Sequence, residues 1–178
     1  MHTNTPNHEP SFLMMNSGET QPTRPSMGSW LTYGLGTVNQ NLPGYVVLCP
    51  GKPTVGPALW SNSFLPGLYQ GVHIDNSRVN PKTIIEHINN GNLPRQTQRK
   101  QLDLLRQMNE AHLAARGKDD LLEARIQSLE MAYRMQFEAQ EVFDISRETK
   151  ETRTLYGPGP FADGCLLARR LVERGVRM

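Results

Sequence analysis

His2 and His8 stand in the polar segment Met1-His-Thr-Asn-Thr-Pro-Asn-His-Glu-Pro-Ser11, which leads straight into a helical pattern. A helix N-terminus presents unpaired backbone N–H groups and the positive end of the helix dipole, and so favours an anion. An imidazole placed there can donate a hydrogen bond to a bound oxyanion, attack it, or protonate a leaving group. The simpler reading is two ordinary polar histidines. His73, in Tyr69-Gln-Gly-Val-His-Ile-Asp75, is a second polar cluster following a turn. It either lines a pocket or is a hydrogen-bonded structural histidine. The sequence has no GxxxxGK[ST] phosphate loop, no GxGxxG, no GxSxG and no HExxH. His and Asp nowhere cluster densely enough to mark a metal site unaided.

Several elements must position these groups. Pro10 fits the first turn of a short helix over Ser11 to Met15, stopped by Asn16, Ser17 and Gly18. Ser26 is placed to cap a second helix through Trp30, Leu31 and Leu35, ended by Gly34 or Gly36. The apolar run Tyr45 to Cys49, closed by Pro50-Gly51, predicts a strand buried on both faces, as in a parallel sheet. Leu65-Pro-Gly67 marks a tight turn, and Thr83 to Ile88 fits either a strand or a single helical turn.

The second half is plainly helical. Pro94 opens a helix that carries Leu102, Leu105, Met108 and Leu113 towards Arg116, with Gly117 as its stop. Asp119 or Asp120 then starts another, with Leu122, Ile126, Leu129 and Tyr133 on one face. The short connector predicts an antiparallel hairpin over about 94–140. Glu130 and Arg134 have the i,i+4 order of a surface ion pair. A last helix, Phe161 to Arg174, stacks Phe161, Cys165, Ala168 and Val172, leaving Arg169, Arg170 and Arg174 as its solvated face. Gly175-Val-Arg-Met178 reads as the start of a further strand.

The 178 residues suit one domain with a real core, although 37% apolar content is low for a compact globule. A net charge of +2 argues against nucleic-acid binding, which concentrates Lys and Arg on one face. No apolar run is long enough to span a bilayer, and Met1 to Pro10 has no signal-peptide pattern. Cys49 and Cys165 sit in apolar surroundings with no CxxC, which predicts buried thiols, and a disulfide between them stays open. Residues 1–80 hold three Lys or Arg and three Asp or Glu but nine of the 13 Pro and nine of the 15 Gly. A loop-rich, nearly uncharged front of this kind is held down by a scaffold or is a poorly ordered terminal region.

Six segments, in order, resemble a known family. They are Met1-His-Thr…Asn7-His8, Pro25-Ser-Met-Gly-Ser-Trp30, Leu42-Pro-Gly-Tyr-Val-Val-Leu48, Phe64-Leu-Pro-Gly-Leu-Tyr-Gln-Gly71, Gln101-Leu-Asp-Leu-Leu105 and Cys165-Leu-Leu-Ala-Arg-Arg-Leu-Val-Glu-Arg-Gly175. Together they resemble the sulfatase-like proteins classed as domain of unknown function 1501, within the alkaline-phosphatase superfamily. The resemblance implies an α/β fold, a partial alkaline-phosphatase-like parallel sheet flanked by helices, with the long hairpin in the second half. It implies one incomplete domain over 1–178, loop-rich to residue 80 and helical from 81 on. It also implies metal-dependent hydrolysis of a small sulfate or phosphate ester, a divalent metal in the complete domain, and an exported protein.

In sulfatases the nucleophile lies in a Cys-or-Ser-x-Pro-x-Arg motif ahead of a helix, and His8-Glu-Pro-Ser-Phe12 has that spacing. The resemblance thus puts His8 at the nucleophile position, with Asn7 and Thr3 nearest the reacting group and Gln70 and His73 at the pocket mouth. Position 8 is neither Cys nor Ser, and Phe12 replaces the Arg, so formylglycine chemistry is not implied. A His nucleophile, a His metal ligand and a site without hydrolysis stay open. The family's acidic upstream and Asp/His-rich downstream metal segments have no counterpart here, so the expectation is an internal piece, inactive alone. The alternative expectation is a helical protein-interaction module built on the hairpin. An enzyme piece should bring His8 and His73 into one concavity beside the end of the Tyr45 strand. A docking module should scatter them and leave the hairpin's apolar face exposed.

Overall fold

A computed structural model of the protein describes residues 2–77, 79–80, 84–85, 92–117 and 119–178, without the side chain of Phe137. Its α-helices are α1 (His8–Ser17), α2 (Met27–Leu35), α3 (Arg95–Arg116), α4 (Asp120–Val142), α5 (Lys150–Tyr156) and α6 (Pro160–Glu173). The strands are β1 (Val46–Leu48) and β2 (Val72–Ile74), and short 3-10 turns cover Gly56–Trp60, Gly67–Tyr69 and Ile145–Arg147. The architecture is mostly helical around a small parallel sheet. No described helix is long and apolar enough to cross a membrane. Apart from Ile84 and Ile85, the element expected over Thr83 to Ile88 lies outside the described residues.

β1 and β2 pair in parallel, with Val46 opposite Val72, Val47 opposite His73 and Leu48 opposite Ile74. On the other edge of β1 the chain's last two residues bond to it without forming a further strand of the two-stranded sheet. Met178 N–H donates to Gly44 O at 3.1 Å, and Val46 N–H donates to Met178 O at 2.7 Å, which is the parallel bonding pattern. Side chains alternate along a strand. Val46, Leu48 and Val72 therefore pack against the core, while Val47 and His73 share the opposite face. β1 is partly buried rather than buried on both faces, because the main core cluster covers one side of it.

That core joins Leu42 and Ile74 to Met135, Ala139, Val142 and Phe143 at the end of α4, and to Leu166, Leu167, Leu171 and Val176. Burying each large aliphatic side chain contributes about 1.5–3 kcal/mol, so this cluster is the main source of stability. It also corrects the expected face of the last helix. Phe161 and Val172 are exposed, and the buried side is Ala162, Gly164, Leu166, Leu167 and Leu171. Three leucines remove more apolar surface from water than the Phe161/Cys165/Ala168/Val172 row, so they set the rotation of α6. The arginines beside them are not a solvated face either. Arg169 and Arg170 both clamp Glu148, and Arg170 also donates to Val142 O at 2.8 Å and Glu141 O at 2.7 Å. The two guanidinium groups hold the Glu148 carboxyl below its ordinary pKa.

The hairpin has the expected stops. Asp119 caps α4 by accepting from the Leu121 and Leu122 amides, and Gly117 ends α3 at φ 86°. Glu130 does not pair with the Arg134 head. It accepts two hydrogen bonds from Arg99 across the hairpin, at 2.8 and 2.6 Å, and Arg134 Nε bonds its backbone oxygen at 3.4 Å. A bidentate guanidinium fork outcompetes a single i,i+4 contact. Cys49 and Cys165 are free thiols and only partly buried. Short Lys150–Tyr156 (α5) was not anticipated: Thr149 caps it, its side chain accepting from the Thr152 amide at 3.2 Å.

Candidate functional site

Helix α1 starts at His8, with Asn7 in extended conformation at the N-cap. Asn7 makes no side-chain cap bond, and its carbonyl accepts from the Ser11 amide at 3.2 Å. Pro10 lies in the first turn, where a missing N–H costs nothing. Gly18, left-handed at φ 73°, closes the helix. The helix is longer than the Ser11–Met15 expected, because Asn7-His8-Glu9 already bends into it.

The segment ahead of α1 is folded back onto it by hydroxyls. Thr3 Oγ1 lies 2.8 Å from Ser11 Oγ, and Ser11 Oγ donates to Thr5 O at 3.0 Å. Thr3 thus positions the N-terminal segment. The exposed Asn7 and His8 face an open concavity of about 500 Å³, lined also by Glu9, Pro10, Phe12 and Thr54. Thr54 belongs to the loop that leaves the carboxyl end of β1, and α1 packs on the 3-10 turn that follows. The His8 ring lies 6.1 Å from that of Phe12. Glu9, in the first turn, partly neutralises the positive helix end. His2 is exposed and lies outside this lining.

Gln70 and His73 go elsewhere. Gln70 Oε1 accepts from the Asn62 amide at 3.0 Å, and Nε2 donates to Trp60 O at 2.9 Å. His73 Nε2 lies 3.0 Å from Cys49 O, and its ring stacks on buried Trp60 at 5.0 Å and 15°. Both therefore brace the crossover between β1 and β2. Gln70 also borders a separate cavity; His73 lines neither. The structure places Asn7 and His8 in one concavity, holds Thr3 against Ser11 outside its lining, and leaves Gln70 and His73 apart from it.

Of the two residues beyond Ile74, Asp75 stood in the polar cluster read from the sequence without a role, and Asn76 was missed. Asp75 accepts from the Ser77 amide at 2.9 Å and the Gly51 amide at 3.1 Å, tying the ends of both strands together. Its carboxyl is pulled down to about 2, chiefly by the Ser77 hydroxyl and then by the two amides. Asp75-Asn-Ser77 is an Asx-turn signature that the sequence does display. Asn76 is buried, and its Oδ1 finds no hydrogen-bond partner among the described residues. Nothing in the sequence marks it. Among the described residues no three His, Cys, Asp or Glu converge as metal ligands.

No curated protein and no solved structure matches this chain. A family model described as "protein of unknown function (DUF1501)" matches residues 1–178. The chain belongs to that family.

Proposed function

We propose that this chain carries the oxyanion-facing part of a sulfatase-like hydrolase site and that its ligands are small sulfate or phosphate esters. One observation supports the reading most: exposed His8 is the first residue of α1 and opens onto a concavity shared with Thr54, beyond the carboxyl end of β1. Ligands of open parallel sheets bind outside the carboxyl ends of the strands. The two parallel strands, with α4 and α6 packed on one face, suit a partial alkaline-phosphatase-like sheet.

The chemistry follows from the groups present. Free amides in the first turn of α1 attract the ester's anionic oxygens, and Asn7 Nδ2 can donate to one of them. As a base, neutral His8 takes a proton from the attacking water, whose oxygen bonds to sulfur or phosphorus as the ester bond breaks, and returns it to the leaving oxygen. As a nucleophile it instead displaces the alkoxide, which takes a proton from solvent, and water then hydrolyses the N–S or N–P bond. Phe12, where a sulfatase has Arg, offers no second cation, so oxyanion binding rests on amides and imidazole. A divalent metal would polarise the ester oxygens in the family's chemistry. No step of this reading passes through one.

The test is hydrolysis of 4-nitrophenyl sulfate and 4-nitrophenyl phosphate by the wild type and His8→Ala, with divalent cations supplied. Turnover that falls at least about 100-fold in the variant supports His8 in the reaction. Turnover unchanged by the substitution removes His8 from it, and no turnover by the wild type removes hydrolysis by this chain alone.

His73 does not share the concavity of His8, which is the arrangement expected of a docking module, and a second observation favours that reading too. Helix α3 has no buried residue, and Leu104, Leu105, Met108 and Leu113 are all exposed. Such a face suits docking of an apolar partner helix. Met108→Glu should abolish any concentration-dependent association seen by sedimentation; an unchanged profile would remove the hairpin from it.

A further inference from the structure

A second cavity, of about 390 Å³, opens at the other end of the sheet from His8. Gly44, just ahead of β1, and Val72, the first residue of β2, form its floor. One wall is Met131 and Met135 of α4, the other Leu68 and Tyr69 of the Gly67–Tyr69 turn. The volume falls within the range of small-molecule sites. Two methionines give the wall a shape that adapts to what enters.

The lining is chemically one-sided. Among the described residues of the lining, Tyr69 is the one ionisable side chain, and no Asp, Glu, His, Lys or Arg takes part. Its aliphatic hydroxyls are already engaged as donors. Thr32 Oγ1 donates to Gly28 O at 2.8 Å, Thr37 Oγ1 to Asn39 O at 2.9 Å, and Ser128 Oγ to Ala124 O at 2.9 Å. Their lone pairs remain to accept hydrogen bonds. An ionised ligand would lose solvation here with no charged group among the lining residues, Arg177 being bound beside them to Gly36 O at 2.9 Å, whereas an apolar body with an O–H or N–H group would be satisfied.

The mouth continues into an aromatic patch. Tyr69 meets Tyr33 edge-to-face at 5.2 Å, Tyr33 meets Trp30 at 6.0 Å, and Trp30 meets Phe64 at 5.8 Å. Trp30, Tyr33 and Phe64 are all exposed, at 45%, 51% and 67%. Aromatic rings held edge-to-face leave neighbouring π-faces open to a flat ring from a ligand.

We infer that this cavity binds an uncharged, largely apolar small molecule, aromatic in part and bearing a hydroxyl or N–H donor. The site is separate from the His8 concavity and does not depend on the hydrolase reading. The probe is 2-naphthol, titrated into the full chain labelled at its methionine methyls, with 2-naphthoate as an anionic control of similar size. Saturable shifts at Met131 and Met135 are expected. Binding of the anion should be at least about tenfold weaker, and so should binding of 2-naphthol to Ser128→Phe, which fills the rim. Ala132→Phe, also on the rim, replaces that variant if its circular dichroism shows it unfolded. Absence of saturable shifts at the two methionines, equal binding of the anion, or full binding by a folded rim variant would each overturn the inference.

Discussion

The two ends of helix α4 live in different environments. Met135, Ala139 and Val142, with Phe143 at the cap, are at most 7% exposed. At the other end Leu121 is 86% exposed and Leu129 42%, and facing α3 buries nothing. The inner end is held by apolar burial against β1, β2 and α6. The outer end is held by polar links between the two helices: Arg99 to Glu130, and Asn109 to Glu123 at 3.3 Å. Equal apolar periodicity along one helix thus yields unequal stability, because periodicity creates a face and only a partner buries it.

Core substitutions should separate the two ends most sharply. Leu167→Ala is expected to destabilise by about 2–5 kcal/mol through the cavity it leaves, read by urea unfolding. A loss under about 1 kcal/mol would mean that the α4–α6 core is not the stabilising unit. Next comes Gly28→Ala in α2, where a methyl would overlap the buried Tyr45 ring. The gain in helix propensity is about 1 kcal/mol and the overpacking cost about 1–3 kcal/mol, so a net loss is expected. Thermal stability equal to or above wild type would contradict that packing.

The Glu148 clamp ranks third. Glu148→Gln should cost on the order of 1–2 kcal/mol, since the clamp is only partly shielded from water. Its carboxyl is held below the ordinary value by Arg169 and then Arg170. The stability it contributes is therefore complete above the unfolded pKa and is lost as pH falls through the lower, folded one. The variant should show a flatter fall of stability in acid than wild type, and parallel pH curves would count against the clamp. Smallest is Arg99→Ala on the outer hairpin, expected to cost under about 1 kcal/mol and to matter less as salt rises. Native-state hydrogen exchange should then find α3 opening well before the core does.

Much of this was legible in the sequence. Pro94, Gly117, Asp119 and Gly175 bracket the helices because caps and stops act locally. The Tyr45–Cys49 run located β1; of Gly175-Val-Arg-Met178 only Arg177 and Met178 bond to Gly44 and Val46 beside it, while Gly175 and Val176 close helix α6. What failed depends on distant partners. The rotation of α6 is set by β1, β2 and α4, and the fate of Arg170 by Glu148, 22 residues away in the chain. For the site, the sequence placed His8 just ahead of a helix over Ser11 to Met15, whereas the helix begins with His8 itself, and the roles of Gln70 and His73 were not readable. Trp60 and Cys49 hold them through contacts that no motif encodes.

The central functional claim is that the α1 N-terminus, and not the hairpin, meets an oxyanion. Titrating inorganic sulfate into the 15N-labelled chain tests it directly. The account predicts saturable shifts at the His8 and Glu9 amides, weakened in His8→Ala, with α3 amides unmoved. Uniform small shifts along the chain, or none at His8 and Glu9, would contradict it.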